Sequence, residues 1–232
     1  MNMNKKINEL IKEQEELKRQ LADLRTEIET FGEQTKLALL AGEEIRRHIE
    51  TRELIIEPIL DWEKQVTEEP VSVSLRLDNY FGEFRTAKKE FIDLKEPGAE
   101  HVEFREIEFK EGYVIHPGKL VLAQSFEWVA LPSRLVGVLD GRSSLGRFGL
   151  VVHATAGWVD PGFRGHLVFE LINLGEMPVK LYPLVRIARL ALFKVKETTN
   201  YKGRFNFQIK PRIPTRADPD LVDIHKHLAR NS

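Results

Sequence analysis

The sequence predicts a mainly β fold, a sandwich or barrel, carrying an N-terminal helical coiled-coil extension. Three observations predict it. An apolar three-four spacing runs from Ile7 to Phe31, and short runs rich in Val, Leu and Phe fill most of the chain after it. Beyond Thr198 the character changes again, to the polar, basic and proline-containing run NYKGRFNFQIKPRIPTRADPD. These changes divide the chain into a coiled-coil helix over 1–35, a β core over 36–198, and a C-terminal lid or tail over 199–232.

In the extension, Ile7, Leu21 and Ile28 take heptad position a, and Leu10, Leu17, Leu24 and Phe31 take position d. Charged residues fill most of the intervening positions. So narrow a stripe favours a short coiled coil of about four heptads over the alternative, an amphipathic helix packed on its own domain. Gln14, the polar residue at a, costs stability and can help set register. Residues 35–54 are expected to continue as helix through GEEIRRHIETREL. Then the period changes. LIIEPIL, VSVSLRL, YFGEF, VEFREIEF, KLVLAQSFEWVAL, LVGVLD, LVVHATAGWV, HLVFELINL, PVKLYPL and RIARLALFKV read as strands, with turns such as HPGK at 116–119 and DPGF at 160–163 between some of them. VSVSLRL alternates cleanly, as a half-buried strand does.

At 232 residues, 42% hydrophobic and 31% charged, the chain suits one substantial globular domain with an appendage. A formal charge of −1 gives no sign of a nucleic acid or an anionic membrane as partner, so anion binding must come from local clusters. No apolar run approaches the roughly 20 residues that span a bilayer. The first residues are too charged for a secretory signal, and the expected location is cytoplasmic. With no cysteine, disulfides, thiol catalysis and the His/Cys/Cys zinc site of one deaminase class are excluded. The seven histidines show no HExxH-like spacing, so no protein-held zinc is expected.

Chemistry concentrates in Asp140–Glu170, DGRSSLGRFGLVVHATAGWVDPGFRGHLVFE. Arg142, Ser143 and Ser144 form either a phosphate cradle or an ordinary surface turn. Arg147 by itself reads as a surface charge. Asp160, before Pro161-Gly162, is either a turn cap or a ligand-binding carboxylate. His153 suits the core as well as a pocket. Glu170 lies inside an apolar strand, where an unpaired carboxylate is costly; it is either a general acid/base or half of a barrel-facing ion pair.

Together these blocks resemble the central motif of the dCTP deaminase branch of the trimeric dUTPase-like superfamily. GRSSLxRxG, H-x-TA, (I/V)DPG(W/F)xG and a strand ending in glutamate follow in order at family spacing. The likeness extends over roughly residues 43–213. It implies a distorted β-barrel or jelly-roll core. It implies that Arg142, Ser143 and Ser144 bind the triphosphate, with Ser143 also near the base, that Leu145 and Gly146 belong to the same substrate-binding stretch, and that Arg147 reaches the pyrimidine end and orients the catalytic carboxylate. Glu170 would shuttle protons while water attacks C4 of cytosine and ammonia leaves, so that Glu170, Arg147 and Ser143 are the catalytic set. Val168 and Phe169 precede it in the substrate-binding strand. Asp160 would bind the 3′-hydroxyl and Phe163 wall the sugar, while His153, Thr155, Ala156 and Trp158 shape the pocket near the base. Tyr201, Arg204 (the family's usual lysine) and Gln208 resemble a second phosphate clamp.

The activity implied is deamination of dCTP to dUTP and ammonia, without a protein-held metal, in a homotrimer whose sites are built from neighbouring subunits. Mg²⁺ would accompany the triphosphate. The alternatives are a bifunctional deaminase/diphosphatase giving dUMP and pyrophosphate, a plain dUTPase, or a non-catalytic nucleotide-binding module. A plain dUTPase fits worse, because its pattern lacks a glutamate at Glu170 and ends in a glycine-rich phosphate loop. Intact Glu170, Arg147 and Ser143 argue against the non-catalytic module. One departure stands out: the family's IGQL is Ile187-Ala188-Arg189-Leu190 here, which puts Arg189 near the nucleotide without an assigned role.

Overall fold

A computed structural model describes residues 12, 14–26, 38–85, 91–95, 97 and 101–214. The chain divides into two compact units, 1–38 and 39–232. In the first, residues 14–26 form a helix, α1. Its seam residues Leu17, Leu21 and Leu24 are 57%, 52% and 56% exposed, so the apolar stripe is uncovered. Ile7, Leu10, Ile28 and Phe31 lie outside the described residues. One helix is therefore established, without its pairing.

The second unit is mainly β. It begins with Leu39 bridged to Phe193 and the Leu40 N–H donating to Leu192 O at 2.8 Å. Helix α2 spans only Gly42–Glu50, and Arg52 adopts a φ of 60° just after it. The expected continuous helix over 35–54 is thus corrected at both ends where the chain is described. Leu39 and Leu40 gain sheet pairing, and Leu40 full burial, which outweighs helix propensity.

The strands are β1 (Ile55–Glu57), β2 (Val73–Arg76), β3 (Tyr80–Phe84), β4 (Val102–Glu106), β5 (Tyr113–Ile115), β6 (Leu120–Ala130), β7 (Leu135–Gly141), β8 (Leu150–Val151), β9 (Trp158–Val159), β10 (Arg164–Asn173), β11 (Val179–Leu181) and β12 (Arg186–Lys194). A π-helical turn, Glu63–Thr67, follows β1, and a single helical turn, α3 (Ser143–Gly146), follows β7. One sheet of six strands runs β4-β3-β6-β10-β8 with β1 also on β6; a four-stranded sheet runs β2-β12-β7-β9; β5 and β11 form a ribbon. The pairings among these strands are antiparallel.

LVVHATAGWV, expected as one strand, is two. β8 pairs with β10 in one sheet and β9 with β7 in the other, so 152–157 must cross between sheets. Both sheets contribute to one apolar cluster that includes Phe81, Phe169, Leu171, Ile187 and Leu190. Among the described residues no helix is long and apolar enough to cross a membrane.

A polar knot lies within this interior. Glu127 is fully buried; its Oε1 accepts from Gln65 Nε2 at 2.8 Å and its Oε2 from the Arg76 N–H at 2.9 Å. Gln65 Oε1 in turn accepts from Arg76 Nε at 2.9 Å. Burial pushes the Glu127 carboxyl up to about 7, against the opposing hydrogen bonds and the Arg76 charge. A folded-state value above the unfolded one favours the fold at low pH. That contribution is present below the ordinary carboxylate range and is lost as pH rises through about 7. Between pH 5 and pH 8, wild type should therefore lose about 2 kcal/mol of stability relative to Glu127→Gln. Thermal unfolding of both proteins at the two pH values checks this; parallel pH dependences would contradict it.

Candidate active site

The site is organised by the period of β10. His166, Val168 and Glu170 alternate with Leu167, Phe169 and Leu171, which are 5%, 0% and 0% exposed in the core. His166, Val168 and Glu170 line a cavity of about 670 Å³. Phe169, expected beside the substrate, has its side chain in the core and can offer only its main chain there. Opposite β10, the crossover brings His153, Thr155 and Ala156 to the wall, and β9 adds Trp158. Asp160 and Phe163 of the DPGF turn complete that side.

Glu170 is held by the crossover. The Ala154 N–H donates to its Oε2 at 3.0 Å, and His153 Nδ1 stands 4.0 Å from the same oxygen. The Glu170 N–H itself donates to Val152 O at 3.0 Å. Among the described residues Oε1 carries no protein donor, so it is available to a ligand or water.

Two glycines let the C-terminal segment close against this cavity. Gly162, at φ 78°, has Asn200 so near that a Cβ would meet its Oδ1 at 2.6 Å; Gly165, at φ 151°, faces Gln208 N at 2.9 Å and O at 3.0 Å in the same sense. The segment is therefore pinned. Tyr201 N–H donates to Pro161 O (2.7 Å), Phe207 N–H to Arg164 O (2.6 Å) and His166 N–H to Gln208 O (2.9 Å). Tyr201 and Gln208 line the cavity, with the Tyr201 ring 6.0 Å from that of Phe163. Arg204 is exposed, with its guanidinium 5.9 Å from the Phe205 ring centroid.

The GRSS turn lies elsewhere. Arg142, Ser143 and Gly146 line a second cavity, of about 580 Å³, with Asp140 and Arg189; His153 borders both cavities. Ser144 is exposed, and Leu145 packs partly against the core. Burial first, then the like charges of Arg186 and Arg189, lower the Arg142 pKa, opposed by Glu69 and Glu68. Arg147 is exposed, and among the described residues no ion pair joins it to Glu170. Within one chain the expected arginine–carboxylate partnership is not assembled.

Against known proteins, the sequence profile of the dCTP deaminase-like family matches residues 39–195. The chain belongs to the dCTP deaminase family. A protein named dCTP deaminase, dUMP-forming, from Dictyoglomus turgidum is 44% identical over 168 residues, covering 71% of this chain and 86% of the relative. Its namesake from Methanothermobacter thermautotrophicus is 41% identical over 155 residues, covering 66% and 78%. A crystal structure of 2′-deoxycytidine 5′-triphosphate deaminase from Agrobacterium tumefaciens shares the fold at a TM-score of 0.53 and 22% identity, covering 68% of this chain and 48% of that one.

Sequence reasoning missed His166, whose Nδ1 lies 2.9 Å from Ser125 O, and Phe205 and Arg212 of the tail, all on the Glu170 cavity. The first was discoverable: it stands at i−4 from Glu170 on an alternating strand. The tail residues carry no period that would reveal them. Gly165→Ala should detach the tail at a local cost on the order of 1 kcal/mol or more. Trypsin should then cleave at Lys202 and Arg204 faster than in wild type while the core persists; an unchanged cleavage rate would contradict the pinning.

Proposed function

We propose that the chain is a dCTP deaminase that carries its product on to dUMP and pyrophosphate. The observation that carries deamination is Glu170, its Oε2 held by the Ala154 N–H and its Oε1 without a protein donor among the described residues, on a cavity that also holds a carboxylate and aromatic walls. Glu170 takes a proton from a water that adds to C4 of cytosine and passes it to the departing amine, so that cytosine and water become uracil and ammonia. Asp160 receives the sugar hydroxyl and Phe163 walls the sugar, while Tyr201 and Gln208 close the pocket. The sequence reading ranked release of dUTP first. The relatives' dUMP-forming names support the bifunctional alternative better.

The substrate's triphosphate belongs with Arg142, Ser143 and Ser144 and with Arg204, and Mg²⁺ enters on its phosphate oxygens. Guanidinium and hydroxyl groups suit those oxygens, and among the described residues no group of three or more His, Asp or Glu is placed to hold a metal ion. Among the described residues Arg147 and Glu170 of one chain do not pair with each other. This supports a homotrimer in which a neighbouring copy brings its GRSS turn to Glu170, with α1 of each copy joining a coiled coil. That β core would be the distorted barrel or jelly roll of the superfamily.

Incubation with dCTP and Mg²⁺ should yield ammonia, dUMP and pyrophosphate. Accumulation of dUTP alone would restore the simple deaminase. Glu170→Gln should slow ammonia release by at least about 100-fold with dCTP binding retained; full activity in that variant would sink the mechanism. Light scattering should give a trimer mass for the full chain and a less thermostable trimer for residues 36–232, and a monomer for the full chain would refute the shared site.

A further inference from the structure

Arg189 has no task in the proposed reaction. It lies on β12 opposite Asp140 of β7 and lines the second cavity with Arg142 and Ser143. Its guanidinium is 2.8 Å from Glu69 Oε2, and the two side chains are 44% and 3% exposed. Glu69 is itself fixed, because Ser74 Oγ donates to its Oε1 at 2.7 Å and Arg186 lies 3.8 Å from that oxygen. Arg142 lies beside them, its Nη1 donating to the Arg186 main-chain O at 3.4 Å. Two guanidiniums, those of Arg189 and Arg186, therefore flank one buried carboxylate, with Arg142 beside them and Glu68 3.8 Å from Arg186 at the rim. Asp140, the acid on the cavity wall, has its Oδ1 engaged by the Gly141 N–H at 2.7 Å.

Arg142 and Arg189 share one cavity wall, where their guanidiniums can take a phosphate through charge-assisted hydrogen bonds. An arginine whose sole task was to neutralise Glu69 would have no need to stay half-exposed on a cavity wall. We propose that Arg189, oriented by Glu69, is a second cation of the phosphate-binding cavity and contacts the nucleotide's triphosphate beside Arg142 and Ser143. This deepens the proposed function and rests on it for the identity of the nucleotide.

The test pairs calorimetric titration of inorganic tripolyphosphate into the full-length chain with ammonia release from dCTP. For Arg189→Gln, the tripolyphosphate Kd and the dCTP KM should each rise about tenfold, with kcat within about twofold of wild type. Arg189→Lys should recover part of the loss, and binding of 2′-deoxycytidine, which lacks phosphate, should not change. Unchanged Kd and KM would overturn the proposal, as would an equal loss of 2′-deoxycytidine affinity or a wild type that does not bind tripolyphosphate. If tripolyphosphate binds through Arg189 but wild type releases no ammonia from dCTP, the anion site stands and the deaminase reading falls.

Discussion

The register of β10 against β6 is the constraint on which the rest of the structure depends. Phe169 faces Ala123 and Glu170 faces Leu122 across that ladder, and the register shifts between His166 and Val168. With a side-chain period of two, a slip of one residue would carry Glu170 into the core and Phe169 into the cavity. Leu167, Phe169 and Leu171 prevent it, because exposing them would forfeit the burial of three large apolar side chains, each worth about 1.5–3 kcal/mol. The apolar half of the strand thus fixes the direction of its one carboxylate.

Three carboxylates illustrate how surroundings decide role. Glu127, sealed in the interior and bonded to Gln65 and the Arg76 N–H, is pushed towards its neutral form by burial. Glu69 is equally buried but meets Arg189 and the Ser74 hydroxyl, and so serves as an anchor for cations. Glu170 is half-buried, receives one backbone donor and keeps an oxygen for the cavity. Only the last combines access with restraint, which is what proton transfer to a bound ligand requires.

The separation of the two cavities gives the shared-site proposal its physical basis. In that proposal the triphosphate goes to the GRSS turn and the base to Glu170, and within one chain these groups line different cavities, both bordered by His153. The C-terminal segment is pinned at the Glu170 cavity, through Gly162 and Gly165, by backbone bonds that any side chains could make. Its contribution is therefore set by where the backbone can approach, and Tyr201 and Gln208 follow from that approach.

Local pattern carried much of this in the sequence. The β character after residue 54, the alternation around Glu170 and the glycine-bounded turns are properties of neighbouring residues, and they indicated a mainly β fold, while the ordered GRSS, H-x-TA and DPG blocks carried the resemblance to the family. Decisions made between distant residues were not legible. Leu39 and Leu40 left a helical pattern because β12 offered them pairing, and LVVHATAGWV broke in two because its ends belong to different sheets. The same holds for Arg189, which becomes a member of a charged cluster only when β12 brings it to Glu69 and the cavity of Arg142. Period and composition are written in adjacent residues; which charges meet depends on pairing across the sheets, and the tertiary structure alone decides that.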